Sequence, residues 1–512
     1  MNRIPRSMCT QHPDNARVPG WARDSIIQGD DEVHEAYLAY SLYGCHEVMW
    51  DFEGKDVDIY VVRKLLSRYP DFFRERVIGR DVYLTLRLPN PWAETAERKL
   101  FSQALELIPT AYDVAREFYG TDDINGVFQV ILPLTSRAEE LIFTYRYYEK
   151  VVSGKAFIEL LPSVKVMDVL GSVKPSTIDV IPLIEDLNSM LSIDKIIIGY
   201  WKAVRPSYLR IFIARSDPAM NYGLVPAVLM AKIALSKALY LGKELGLGIY
   251  PIIGVGPTPF RGHLTPYNVD NVIREYPCVH TFTVQSAFRY DYPEGEVINA
   301  ISKLNNRAPS NDCAIPDHDT LITIINKYVV NYQREIEGLA SVINRVSNYV
   351  PRRRARKLHI GLFGYSRGFR GIVLPPRAIT FVAALYSLGI PPEILGASVI
   401  NELSEGEYAT LRETYVNLVH DLNRAANYIC HECVDLMARF SDVFGVDNEV
   451  INAVRRDIKA LEDMGIKTGP RDYEGKKHEL LAQLLINSLI EGKEEDTARY
   501  MVEMAQIRHA IG

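Results

Sequence analysis

Cysteine is scarce in this chain, an excess of positive charge is absent, and apolar runs are short. Six cysteines among 512 residues are too few for a disulfide scaffold. A formal net charge of -6 gives no reason to expect nucleic acid or a membrane surface as partner. The run FVAALYSLGI is too short to span a bilayer, and LVPAVLMAKIALSK is interrupted by Lys232 and Lys237. The opening MNRIPRSM lacks the apolar stretch of a signal peptide, so a cytoplasmic chain that starts here is expected. No short-period repeat or low-complexity tract is visible. What is present is ordinary for a globular protein with a large core, 47% hydrophobic and 24% charged. The length allows two or three domains, or one elaborated α/β barrel.

Two of the cysteines, Cys430 and Cys433, form a C-x-x-C inside LVHDLNRAANYICHECVDLMARF, a long helical pattern. No second C-x-x-C completes a metal site. Spacing of i, i+3 puts both on one helix face, so core packing is the expectation. A disulfide of the kind some hyperthermophile cytosolic proteins carry is the alternative.

From about residue 45 to 290, short β-rich runs alternate with longer helical patterns. The runs are CHEVMWDF, VYLTLRL, VFQVILPL, TIDVIPLI, YLRIFIA, IYPIIGV and HTFTVQSA. Amphipathic stretches such as AETAERKLFSQALELIPTAYDVAREFY lie between most of them, which argues for parallel βα units. With HIGLFG near residue 360 as an eighth run, the expectation is a (β/α)8 TIM-type barrel with extensive additional α-helices, especially C-terminal. KIIIGYW is then an insertion or not a strand, and Pro133, Pro182 and Pro251 are awkward for fully paired strands. Beyond residue 295 the chain reads as mainly helical, with breaks near 309, 351, 391 and 468. The whole of 1–512 is read as one domain, its barrel over about 45–365 and its helical elaboration over about 295–512.

Catalytic groups of such barrels sit where strands end and βα loops begin. The residues closing the runs are Asp51 and Glu53, Arg87, Thr135 and Ser136, Glu185, Asp217, Gly254 with Gly256, and Gln285. Two carboxylates from separate strands can hold one hard divalent cation, and Glu185 with Asp217 is the pair chosen. Strand-end acids also cap following helices, and the residues alone leave both readings open. The loop GVGPTPFRG has neither the G-K-[ST] of a nucleotide loop nor dinucleotide glycine spacing. Its Arg261 is placed to present a bidentate guanidinium to phosphate or carboxylate. A second basic stretch, PRRRARKLHIGLFGYSRGFRGIVLPPRAI, reads as a solvated face or an inter-subunit contact, with a nucleic-acid patch as the rival. Its later members Arg367, Arg370 and Arg377 are spaced for individual anion contacts. Near the N-terminus, CTQHPDN holds His12 extended through Pro13, with Asp14 and Asn15 favouring a turn after it. Chain starts fray, and an exposed histidine in a frayed tail does nothing; a stiff turn that presents one imidazole is the alternative.

Taken together, these blocks resemble phosphoenolpyruvate carboxylase of the short archaeal type. TQHPDN is similar to the family's TAHPTE, PLIEDL to PLFETLDDL, and ARSDPAMNYG to GYSDSAKDAG. GVGPTPFRG resembles GRGGSIGRGG, TVQSAFRY resembles TEQGEMIRF, and MAQIRHAIG resembles the ending GMRNTG. The blocks run in the family's order over residues 10–512, and EVMWDFEGKDVD is also wording of the short type. The resemblance implies His12 as catalytic histidine, Glu185 and Asp217 as ligands of Mg²⁺ or Mn²⁺, and Arg261 as the loop's catalytic arginine. It further implies Arg87 as catalytic through the LDIRQ block, and Gln285, Arg377, Arg367, Gly254 and Gly256 around the substrate.

Two cationic positions of the family are lost, at Val255 and Met220, and Arg367, Arg370 or Lys55 stand as replacements. His509 falls where the long form has an asparagine of its aspartate-inhibitor site, which removes the basis for expecting aspartate control. The implied reaction joins phosphoenolpyruvate and bicarbonate to give oxaloacetate and phosphate, in a homotetramer without nucleic acid or membrane. The rivals are another metal-dependent lyase or phosphotransferase of the phosphoenolpyruvate/pyruvate superfamily, and a non-enzymatic anion-binding protein built on Arg352 to Arg377.

Overall fold

The computed structural model describes residues 4–310, 313, 315, 317–355 and 376–512. Its ten strands are β1 (Ser7–Cys9), β2 (Glu47–Asp51), β3 (Tyr83–Arg87), β4 (Gln129–Leu132), β5 (Glu159–Leu161), β6 (Val164–Lys165), β7 (Asp179–Ile184), β8 (Tyr208–Ala214), β9 (Gly248–Gly254) and β10 (Thr281–Val284). Eight of them close a barrel in the order β1-β10-β9-β8-β7-β4-β3-β2, while β5 and β6 form a separate hairpin. Every barrel pairing is parallel, for example Tyr208 to Ala214 of β8 against Gly248 to Gly254 of β9.

The eighth strand is not the one the sequence suggested. It is Ser7–Cys9, which pairs with both β10 and β2 and closes the barrel ahead of the other seven. The barrel therefore begins at residue 7 rather than near 45. Three residues are too few to show an alternation, and HIGLFG lies outside the described residues. KIIIGYW belongs to the helix Ile193–Val204, where Ile193, Ile196, Ile197 and Tyr200 form one buried stripe at helical spacing. Pro182 and Pro251 do lie within β7 and β9, and the Pro251 carbonyl still accepts the His280 N–H at 2.8 Å.

Strand side chains alternate between faces, and the inward set is stacked in layers. The lowest is polar: Arg210 donates to Glu47 Oε1 and Oε2 at 2.8 and 2.7 Å, to Gln129 Oε1 at 2.8 Å and to Thr281 Oγ1 at 3.3 Å. A buried ion pair is tolerable when most of its other donors and acceptors are met, as both Nη groups are here, although the buried Arg210 Nε has no partner among the described residues. Above it lies an apolar layer of Met8, Met49, Ile131, Ile181, Leu183, Phe212, Ala214 and Ile252. Two residues beyond Met49 and Leu183 the polar groups return, as Asp51 and Glu185, while Arg87 and Gln285 stand two residues beyond Thr85 and Thr283. Alternation brings these four to the mouth, whereas Asp217 and Arg261 sit on short helical turns beyond β8 and β9.

After Gln285 the described residues form helices and loops. The longest helix, His318–Ser347, buries Tyr328 and Tyr332 against the core. The helix Leu224–Leu245 is long and apolar enough to cross a membrane, yet 72% of its apolar window is buried inside the fold. Lys232 and Lys237 do not interrupt it, because Lys232 pairs with Glu275 at 2.6 Å and Lys237 donates to the Leu191 carbonyl.

All six cysteines are paired: Cys9 with Cys45, Cys278 with Cys313, and Cys430 with Cys433. This corrects the reading of Cys430 and Cys433 as helix-face packing residues. The helical pattern is broken there, with Leu418–Ala426 ending before Cys430, which caps His431–Arg439 by accepting the Cys433 N–H. With Cys430 at the N-cap and Cys433 in the first turn, the two Cα atoms lie 5.2 Å apart, within bonding range of their sulfurs.

Candidate active site

The barrel mouth opens into a cavity of about 1110 Å³. His12, Glu53, Arg87, Glu185, Asp217, Gly254, Arg261, Gln285 and Arg377 all border it. The candidates scattered over the sequence from residue 12 to 377 thus converge. Arg367 and Arg370 lie outside the described residues.

Glu185 follows β7 directly, and Asp217 stands in the first turn of Ser216–Tyr222, just after β8. Glu185 Oε2 accepts the Leu134 N–H at 2.6 Å. Burial pushes its carboxyl well above the usual range, and the charges of Asp217 and Glu53 push it further; Leu134 and Arg87 oppose them. Burial also raises Asp217, against the pull of Arg377, Arg87 and Arg261. Buried Glu185 and half-buried Asp217, whose charge raises it, make a donor set that a hard divalent cation would relieve. Among the described residues, the His/Asp cluster with tightly converging ligand atoms lies elsewhere, at His263, His420 and Asp421. There His263 Nδ1 meets Asp421 Oδ1 at 2.6 Å, outside the cavity lining.

The two arginines are more committed than the sequence implied. Arg87 gives Nε and Nη2 to Asp51 at 2.8 and 2.6 Å, and its Nη1 lies 3.0 Å from Glu53. Burial works against its charge, and these two carboxylates outweigh that cost. Arg261 is 1% exposed. It donates Nε to Ser216 Oγ at 3.1 Å, Nη1 to Asp14 Oδ2 at 3.2 Å and to the Gly512 carbonyl, and Nη2 to Gln285 Oε1. Four of its five N–H groups are therefore spent within the protein. The bidentate presentation to an anion, expected from the loop, is corrected here to one remaining N–H. Gly256 makes room for this arrangement, since a Cβ there would lie 2.9 Å from Arg261 Cζ. Gly254 does the same for the Phe212 ring, also at 2.9 Å.

The N-terminal turn is pinned and does not fray. His12 Nδ1 lies 2.7 Å from Thr10 Oγ1, whose own N–H donates to the Val284 carbonyl at 3.0 Å. Asp14 is fully buried, accepting the Ala287 N–H at 2.8 Å as well as Arg261. Asp291 takes the N–H groups of Ala16 and Arg17, both at 2.7 Å, and Arg353 donates to the Asn15 and Ala16 carbonyls. The C-terminus closes the same knot, for Ile511 N donates to the Asp14 carbonyl at 2.7 Å. His12 itself stays half-buried at the cavity edge.

The basic stretch is partly architectural rather than a solvated face. Arg353 and Arg354 are buried, and Arg354 bonds Glu35 and Ser286. Their signal in the sequence was charge alone, which does not separate a buried clamp from a wet surface. Lys55 does not reach the site either: it is buried in an ion pair with Glu32 at 2.7 Å. Val255 and Met220 are buried apolar residues, so neither position supplies a cation, whereas Arg215, beside Asp217, borders the cavity. Arg377 supplies one described cationic neighbour of Asp217.

Fold and mouth together define an α/β-barrel enzyme with an acid-and-arginine pocket, the build that handles small anions. Comparison with known proteins makes this specific. Residues 4–512 match the family model described as phosphoenolpyruvate carboxylase. A phosphoenolpyruvate carboxylase of Caldivirga maquilingensis is 55% identical over 514 residues, and one of Metallosphaera sedula 51%, each alignment covering 100% of both chains. One from Picrophilus torridus is 46% identical over 99% of both. Among solved structures, an HpcH/HpaI aldolase/citrate lyase family protein from Burkholderia cenocepacia aligns with 55% of this chain and 88% of its own, at 13% identity and a TM-score of 0.31. The chain belongs to the phosphoenolpyruvate carboxylase family.

Proposed function

We propose that this enzyme carboxylates phosphoenolpyruvate with bicarbonate, giving oxaloacetate and phosphate. The observation that carries the reading is the mouth itself: the charge of Asp217 raises Glu185 across one cavity that Arg87, Arg261, Arg377 and His12 also border. Glu185 and Asp217 would hold Mg²⁺ or Mn²⁺. When bound, such an ion supplies electrophilic stabilisation to enolate and phosphate oxygens.

The protein's own groups account for the rest. A bicarbonate oxygen attacks phosphorus, the bond from phosphorus to the enol oxygen breaks, and carboxyphosphate and enolate result. Arg377 and the remaining N–H of Arg261 face the charge that spreads over the phosphoryl oxygens. Arg87, gripped by Asp51 and Glu53, serves more to fix the floor of the pocket than to clamp a ligand. Gln285 orients Arg261 through its Oε1. His12 takes the carboxyphosphate proton, the bond from carbon to the phosphate oxygen breaks, and carbon dioxide is released beside the enolate, whose carbon attacks it. An imidazole suits this step because its ordinary pKa lies near neutrality.

We read 1–512 as one functional unit, cytoplasmic and assembled as a homotetramer. The test is a coupled oxaloacetate assay with bicarbonate supplied and withheld. Oxaloacetate only in its presence is expected; phosphate release indifferent to bicarbonate would refute the assignment.

A further inference from the structure

The hairpin β5–β6 stands apart from the barrel. It is inserted between the helix Ala138–Tyr147, which follows β4, and the start of β7. A helix after a barrel strand runs back toward the opposite end, so this insertion sits at the end of the barrel away from the mouth. The chain turns through Pro162 and Ser163, pairs Glu159 with Lys165 and Leu161 with Val164, and continues into the short helix Val166–Leu170.

No residue of β5 is buried. Leu160 and Leu161 are both exposed, and a register shift between Glu159 and Leu161 interrupts the alternation of the ribbon there. Phe157, Ile158, Leu160, Leu161, Val169 and Leu170 are 53% to 75% exposed. At those exposures the six residues offer about 700–800 Å² of surface, close to the ~800 Å² per partner of a standard interface and above what monomers usually leave bare. A two-stranded ribbon with no buried face is at best marginal in water. Nothing else in the described chain covers it.

We propose that this arm is a self-association surface whose occupant is the same arm of a second copy, paired about a twofold axis. Three features select a second copy over another partner. The area is that of one side of a standard interface. The exposed charges around it come in both signs, Glu159 and Asp168 against Lys165 and Lys174, which lets the patch complement itself in an isologous contact. The outer edge of the ribbon is unpaired in the described chain, so β5 can meet its own copy antiparallel. The proposal deepens the homotetramer reading by naming one of its contacts, and it does not depend on the chemistry at the mouth.

Sedimentation velocity of the full chain tests it, comparing wild type with the double variant Leu160→Asp/Leu170→Asp. Both positions are exposed in the chain, so the fold should survive, as far-UV circular dichroism and the melting temperature will show. Wild type should sediment at an even multiple of 58.1 kDa and the variant at half that mass, with a dissociation constant raised about 10²–10³-fold. An assembled wild type and an equally assembled variant would overturn the arm while sparing the assembly. A monomeric wild type at tens of micromolar would overturn both. Independently of any variant, amide exchange across 157–170 should slow at high concentration and recover on dilution; exchange at intrinsic rates throughout would contradict the contact, as would wild-type pelleting with anionic vesicles through this patch.

Discussion

Replacing Arg261 by lysine keeps the charge and removes the fork. The guanidinium spreads donors over three nitrogens to reach Ser216, Asp14, Gly512 and Gln285. An ammonium carries its three N–H groups on one atom and cannot reach acceptors disposed on all sides of a plane. Two of the four acceptors should lose their donor, at about 1–3 kcal/mol each for a buried unmet group. Part of that total of about 2–6 kcal/mol appears as lost stability. The rest appears in catalysis, because Asp14 lies two residues from His12 and Gln285 borders the same cavity. Every 1.36 kcal/mol is about tenfold in rate, so kcat should fall by ~10²-fold or more. KM should change less, since the lost contacts position the reacting groups and do not simply hold substrate. Steady-state kinetics with a thermal melt read both parts. A variant with kcat within about threefold of wild type and an unchanged melt would refute this view of Arg261 as the knot between both termini and the mouth.

Other outcomes follow from the same geometry. Asp217→Ala should abolish turnover while the melt stays close to wild type, and full activity with Mg²⁺ present would remove Asp217 from the metal site. His12→Asn should still release phosphate in a bicarbonate-dependent way while oxaloacetate falls about 10²–10⁴-fold, the usual cost of a lost general base; equal loss of both products would place His12 in the first step. Burial raises Asp291 to about 7 from an ordinary 3.8, so the folded protein keeps that proton where the unfolded chain has lost it. Its contribution to stability is complete below about pH 4 and lost as pH rises to 7. The melting temperature should therefore decline over that window, and less so in Asp291→Asn; an identical slope would show that Asp291 does not titrate there.

Much of the barrel was legible because its strands are runs of β-branched and aromatic residues separated by amphipathic helices. YLRIFIA coincides with β8 as it stands. The site was legible for the same reason: a strand's end marks the mouth, and Glu185, Asp217 and Gln285 follow strands by one to three residues. What escaped the sequence was short or long-range. Ser7–Cys9 and Glu159–Leu161 are three residues each, below the length at which a period shows. KIIIGYW reads as strand by composition, and its helical stripe emerges only once the flanking Ile193 is counted. The saturation of Arg261 depends on Asp14 and Gly512, which lie about 250 positions away in sequence. The pair Cys9–Cys45 joins β1 to the approach to β2, and Cys278–Cys313 joins the approach to β10 to the segment after the helix Glu294–Asn306, contacts set by tertiary folding and not by local spacing.

The central claim is that bicarbonate attacks phosphorus at this mouth. Bicarbonate labelled with ¹⁸O and unlabelled phosphoenolpyruvate, sampled before the label exchanges with water, read that bond directly by mass spectrometry of the phosphate. Attack through a bicarbonate oxygen, followed by breakage between that oxygen and carbon, leaves one ¹⁸O in each phosphate and the other two in the new carboxylate of oxaloacetate. Unlabelled phosphate formed together with oxaloacetate would contradict the account, because carbon dioxide would then have been captured without carboxyphosphate.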